Sequence, residues 1–533
     1  MTWADELLLD LDPPKVLSTG VSNNRTSFFV MNGKCYIMDG VNYLEYDGTT
    51  VKAVTPYIPT ISISKDPEGG GIPYEDFNLL GSGFKDSFSA DGTATVFQLS
   101  LTGLATTKLT AVVNGTTMNE DSGFTVDRST GKVTFSTAPD KGTNNVVITA
   151  YKTQSGFPER IKKCRLHVLF GGSNDTRVFV SGNKDMPEYI WSSELYDPSY
   201  FPENRFYKYW DKVMGFSKQY DYLVVERANG KHQITFDLSD GVSSFPSKPI
   251  NDQVGTIATN SIQIVENNPV SLARDGIYML VASNVRDERN VQRISEAVDA
   301  KLLREPNLEN AISIDYDQKY WLAVNGNVYV FDYAIDEWYL YDNIHADCFI
   351  EMNGDLYFGS SVNGLIYRFK KETDMFPYND DGKFINAYWK SAKIGFGSAE
   401  RNKLIQKLFA TIAPGKHTSC DFYYVSDKVS FPRNEENLPD YSIMHYGKSF
   451  YNDKIFDAKT EFINSTRTEL FDYSTFIYSL FSYNASEQPT MIVKKVKAKK
   501  VVYYQLVIQN NRIDESLKIE SLGLKYILQN YRK

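Results

Sequence analysis

Cysteine, histidine and positive charge are scarce in this chain, and long apolar runs are missing. Four cysteines (Cys35, Cys164, Cys348, Cys420) lie far apart with no C-x-x-C pair, so neither a disulfide framework nor a zinc site is written in the sequence. The five histidines (His167, His232, His345, His417, His445) stand alone, without a second His, a Cys or a Glu at metal-ligand spacing. Fifty-seven Lys and Arg face 66 Asp and Glu, a formal charge of -9, which opposes wrapping nucleic acid because phosphate binding needs a positive surface that releases counterions. The same charge is compatible with DNA passing without adhesion. The opening MTWADELLLDLDPPK carries acids where a secretory leader would carry basic residues, and no later stretch reaches the roughly 18 apolar residues of a membrane span. These shortages predict a soluble protein made in a reducing cytoplasm, with no membrane insertion, no metal and no cofactor.

Aromatic residues are abundant. Thirty-six Tyr and 32 Phe, with plentiful Thr, Asn and Val, favour pleated, half-buried strands over helices. The phrase N-G-x-x-Y recurs at Asn32-Gly33/Tyr36, Asn325-Gly326/Tyr329, Asn353-Gly354/Tyr357 and Asn363-Gly364/Tyr367. Asn-Gly between alternating apolar runs signals a tight hairpin, because a type I′ turn needs positive φ at both central residues. YLVVERANGKHQITFDL (222–238) and VSLARDGIYMLVAS (270–283) fit the same template.

The turns from Asn229 to Asp275 to Asn325 are spaced 46 and 50 residues apart, within the roughly 40–50 residues of a four-stranded propeller blade. About five such units in 153–375 and one near 15–60 predict an all-β protein built on a β-propeller of about six blades. An irregular β-sandwich, or two in series, is the alternative. Residues 85–152 alternate strictly, are Thr-rich and read as an inserted Ig-like β-sandwich of about seven short strands, flanked by linkers KDPEGGGIPYEDFN and TQSGFPER. The expected organisation is 1–75 (N-terminal segment and first blade), 85–152 (insert), 153–375 (remaining blades) and 376–533 (C-terminal β-domain). Residues 428–490 read as long loops, a kind usually functional or ordered by a neighbour. RISEAVDAKLLREPN (293–307), with Ile294, Val298, Leu302 and Leu303 on one face, predicts a connecting helix.

No segment supplies a catalytic constellation. SADGTATVF (89–97) resembles a sialidase Asp-box, but Gly92 directly follows Asp91 and the tryptophan is missing; Gly171-Gly172 is a single Kelch-like pair. Asp380-Asp381 and the pair Asp10/Asp12 read as solvated turns, since glycosidase chemistry needs two carboxylates across a cleft with one pKa raised. G-x-S-x-G, Walker and G-x-G-x-x-G motifs are missing. The basic run KKVKAKK (494–500) reads as a solvated strand edge guarded against stray pairing in preference to a nucleic-acid contact, and would suit an acidic partner subunit equally. No catalytic, cofactor-binding or metal residue is predicted, and no enzymatic activity.

The order of phrases resembles tail proteins of tailed bacteriophages, in particular the nozzle or tail-hub (packaged-DNA stabilisation) proteins of short-tailed phages. The resembling segments are FFVMNGKCYIMDG, RVFVSGNKDMPEYIWSSELYDPSYFP (177–202), NSIQIVENNPVSLARDGIYML (260–280), RISEAVD (293–299) and the close YYQLVIQNN…LKIESLGLKYI. The insert is similar to small phage-tail β-domains. The resemblance implies a six-bladed propeller and a hexameric ring in the virion tail, assembled in the host cytoplasm. It also implies portal, adaptor and tail-fibre partners, and a bore through which double-stranded DNA passes without sequence-specific contact. It carries no catalytic residues. The insertion and the 428–490 stretch depart from the simplest family pattern, which keeps open a tail-associated adhesin or fibre-docking role.

Overall fold

The protein is described by a computed structural model covering residues 2–3, 6–9, 15–239, 241–281, 290–374, 377–413, 417–427, 460–469 and 489–531. It divides into two compact units, Met1–Arg368 and Phe369–Lys533. Among the described residues no helix is long and apolar enough to cross a membrane.

Unit one contains a row of small antiparallel sheets, each a meander of consecutive strands except that of 213–251, where the hairpin Asp237–Ser239/Val242–Ser244 stands apart between the third and fourth strands. The first spans Ser27–Met31, Lys34–Met38, Tyr43–Tyr46 and Val51–Ala53; four-stranded sheets follow over 166–208, 213–251, 263–293 and 312–341, and a three-stranded one over 346–368. Local chemistry sets these hairpins. Asn32 and Gly33 have φ of 53° and 72°, Asn325 and Gly326 50° and 80°, Asn353 and Gly354 55° and 78°, as the type I′ turn demands. At Asn229 the turn slips by one residue, because Gly230 already pairs with Arg227 in the ladder. Each sheet packs on the next, burying Trp191 and Val178 in one layer, Phe179 and Val225 in another, and Leu272, Tyr320 and Tyr329 in a third.

The expected six-bladed β-propeller is not formed. The protein is all-β with many small antiparallel sheets, but none is closed into a barrel or propeller. Neighbouring sheets pack along the row, whereas no comparable packing joins the 346–368 sheet to the 27–53 sheet among the described residues. Exposed apolar side chains mark both ends: Phe28 and Val30 on the first sheet, Ile350, Met352 and Ile366 on the last. A spacing of 46–50 residues reports how much chain a four-stranded meander uses; closure depends on how sheets tilt against one another, which spacing does not encode. A propeller wall around a DNA channel therefore has no basis in this fold, and the fold by itself lends no support to a place in a virion tail.

Between the first and second sheets lies a two-sheet sandwich. One sheet runs 116–119, 110–113, 146–151, 83–88, 60–65, 72–73 in spatial order, and the other 96–98, 132–135, 124–127. Its strands reach back to Thr60, so part of the expected linker KDPEGGGIPYEDFN is sheet. Alternation puts Phe88, Phe97, Phe124 and Phe135 into one core, ring against ring at 5.2–5.5 Å. The second expected linker holds a short helix, Phe157–Lys162, with Pro158 in its first turn and Ile161 buried. The helix expected over 293–307 shrinks to Asp299–Leu302; Asn290–Arg293 is instead an edge strand, because the fourth sheet still needs a partner for Ile277–Val281.

Unit two is a sandwich of long strands. Ala387–Lys390, Tyr504–Asn510, His417–Ser426 and Thr460–Glu469 form one sheet in that order; Thr490–Val501, Arg401–Ala413 and Lys518–Tyr531 form the other. Tyr504–Asn510 is buried along its whole length, and Leu408, Phe422 and Val496 join its Leu506 and Ile508 in the core. Within the expected 428–490 loops, Thr460–Glu469 is a strand and Thr490 opens the next; 428–459 and 470–488 lie outside the described residues.

Candidate assembly surface

The residues weighed in the sequence do not converge. His167 sits 5.1 Å from the Phe29 ring, and burial pushes its pKa down to about 4. His232 is lowered by burial and by the adjacent Arg227, and packs edge-on to Tyr209 at 4.9 Å. His345 and His417 lie in separate units; His445, Asp10 and Asp12 fall outside the described residues. Among the described residues no three His, Cys, Asp or Glu side chains are grouped to hold a metal ion. Asp91 accepts from the Thr93 and Ala94 backbone N–H groups at 2.7 Å, a turn cap that holds its pKa low. Gly172 has φ of 86° beside Phe236, and Asp381 lies at φ 49° in the turn bridged by Asp380 and Lys383.

One cleft of about 400 Å³ opens beside the first sheet, lined by Asn32, Lys34, Tyr36, Glu45, Lys52 and Asp197 among others. Glu45 is gripped by Lys34 at 3.1 Å and Lys52 at 3.4 Å, and burial, with Glu45 and Asp197 nearby, raises Tyr36 to about 12. Two lysines, Lys34 and Lys52, and two carboxylates, Glu45 and Asp197, share its lining. Deeper in unit one, Lys231 pairs with Glu226 in full burial; the Thr256 hydroxyl donates to Glu226 at 2.8 Å and Lys231 donates to Ser271 at 2.8 Å. That cluster ties the third sheet to the fourth and is shut from solvent.

The outer surface of unit two is different. In the ladder Lys407 is directly opposite Lys495 on one side and Lys525 on the other, and all three are exposed. The cause is local: register shifts between Ile405 and Lys407 in both pairings mark a bulge at Gln406, which turns Lys407 outward while Ile405 stays buried. Like charges directly opposite destabilise a sheet, and among the described residues none of the three lysines makes an ion pair. Val493 and Met491 are exposed on the neighbouring rungs. The edge strand Lys518–Tyr531 runs 14 residues and exposes Leu522, Tyr526, Ile527, Leu528 and Tyr531.

The sequence reading noticed the lysine run but missed its partners Lys407 and Lys525, which register alone brings together. It also passed over a signal that counting by region supplies. Residues 1–368 hold 32 Lys and Arg against 47 Asp and Glu, net -15; residues 369–533 hold 25 against 19, net +6.

No family model and no curated protein matches this chain. Among solved structures it is similar to the extracellular domain of a putative one-component system from B. thetaiotaomicron (14% identity, 57% of this chain and 34% of that one, TM-score 0.28). It is similar also to the S. cerevisiae core factor (7% identity, 65% and 57%, TM-score 0.26) and to the AfRom2 CNH domain (11% identity, 66% and 97%, TM-score 0.27). The chain spans about a third of the first of these and just over half of the second.

Proposed function

We propose that this chain is a structural assembly protein of a bacteriophage tail, of the nozzle or hub kind, that works by joining copies and neighbours rather than by catalysis. The observation that carries the assembly part is the Lys518–Tyr531 edge strand, 14 residues long, which exposes Leu522, Tyr526, Ile527, Leu528 and Tyr531 among polar neighbours such as Lys525. Such an edge invites strand pairing and aggregation unless it is covered, and a multi-copy complex covers it. The phage-tail part rests on the phrases of residues 28–40, 177–202, 260–280, 293–299 and 503–527 that resemble tail proteins. In this reading, copies join one another and neighbouring proteins into a ring in the virion tail.

Mass photometry and negative-stain microscopy of the full chain, alone and with a co-expressed tail adaptor, test the reading. Closed multimers of uniform size are the expected result. Monomers in both settings overturn it.

A further inference from the structure

Two exposed surfaces of opposite charge stand out among the described residues, one on each unit. From Tyr320 to Tyr367 the chain contains no Lys or Arg and seven acids. Asp332 and Asp355 are taken up by Lys319 and Arg368, both at 3.5 Å. The other five, Asp336, Glu337, Asp342, Asp347 and Glu351, are exposed, and among the described residues none makes an ion pair. They lie on and around the Glu337–Tyr341 and Ala346–Met352 strands at the open end of the row, beside exposed Tyr339, Tyr341, Ile350 and Met352. The lysine rung of unit two presents the complementary pattern: Lys407, Lys495 and Lys525 side by side, next to exposed Val493 and Met491.

We infer that these are the two halves of one contact, made head to tail between copies of this chain: the acidic, apolar end of one copy's row docks on the lysine-bearing sheet of the next. The inference rests on the assembly reading above and specifies its surfaces. Each half alone carries a cost, like-charged rungs on one side and bare apolar strands on the other, and the contact relieves both. A second copy is favoured over a nucleic acid or an anionic membrane because the -15 charge of residues 1–368 repels polyanions approaching the same molecule. It is also the acidic partner present at equal concentration wherever the lysines are. Because the two halves are different surfaces, the contact is heterologous and leaves one half free on each terminal copy, so it propagates until a ring closes.

The test is a charge swap in the full-length chain. Self-association is measured by mass photometry and light scattering over a concentration series at about 50 and about 500 mM NaCl, where screening lengths differ severalfold. The triple variant K407E/K495E/K525E and, separately, E337K/D347K/E351K are each expected to weaken association at least about tenfold and to flatten its salt dependence, and mixing the two variants restores association. The milder K407Q/K495Q/K525Q, which removes repulsion within the sheet, keeps its thermal transition and still weakens assembly, separating loss of contact from loss of fold. Wild type that assembles while the triple reversal assembles equally well overturns this inference alone. So does a salt effect independent of concentration, which places the contact within one chain, or a triple variant that loses binding to duplex DNA or anionic vesicles with assembly unchanged. Wild type that stays monomeric with and without the adaptor overturns the assembly reading itself.

Discussion

The molecule contains two β-sandwiches, and they treat their surfaces in opposite ways. In the sandwich of residues 60–151 the strands are three to six residues long where they form its core, and burial alternates along Lys132–Phe135 and Val146–Tyr151 while the central Gly83–Phe88 is buried almost throughout. In the C-terminal sandwich the strands of the outer sheet run 12–14 residues, and Tyr526, Ile527 and Leu528 are exposed in succession, which no alternation with a single core can accommodate. The first buries most of its apolar side chains internally and leaves Ile72, Val96 and Val112 exposed on separate strands. The second has built more strand than its own core can cover, and surplus strand is what a partner uses.

Core substitution gives the largest break in that contrast. Phe97, fully buried and edge-on to Phe88 at 5.3 Å and Phe135 at 5.2 Å, anchors the closed sandwich. Phe97→Ala is expected to cost about 3–5 kcal/mol, read as a lowered urea midpoint with loss of hydrogen-exchange protection over residues 110–151. Retained protection there would mean that the ring cluster is not what holds the sandwich.

Charge burial gives the next. Glu226→Gln leaves Lys231 buried without its counter-ion and is expected to destabilise unit one by about 3 kcal/mol, whereas the double replacement Glu226→Leu with Lys231→Met recovers most of the loss. Equal losses in the single and double variants, in denaturant titrations, would show that the pair is not the coupling element between the third and fourth sheets.

The smallest effect has the opposite sign. Lys407→Gln takes one charge from the middle of the lysine rung, so the isolated chain is expected to gain about 0.2–1 kcal/mol, seen as a slightly raised thermal midpoint of unit two at low salt, with the gain shrinking as salt rises. A loss of stability would mean that the three lysines do not repel one another and would remove the reason to seek a counter-surface.

Hairpins were the most legible feature because a type I′ turn is decided by two adjacent residues: Asn32-Gly33, Asn325-Gly326 and Asn353-Gly354 carry their φ values with them. The sandwich core was legible in the alternation of residues 85–152, although its first strand at Thr60–Lys65 hid in a Gly- and Pro-rich stretch whose pairing with Gly83–Phe88 is parallel and non-local. The 293–307 segment misled because apolar spacing over so short a span suits an edge strand followed by a single helical turn as well as a continuous helix. The propeller failed for a larger reason, since repeat length is local whereas closure is a property of the last sheet meeting the first.

The sequence by itself determined the β class, the positions of the tight turns, the dearth of metal-ligand and catalytic spacings, and the charge imbalance between residues 1–368 and 369–533. Each follows from residue type and near-neighbour spacing. Only the tertiary structure decided that the row of sheets stays open, that Glu226 and Lys231 are sealed together, and that Lys407, Lys495 and Lys525 share one rung. These depend on strand register and on a bulge at Gln406, which bring together residues up to about 120 positions apart and are set by packing across the sheet rather than by any run along the chain.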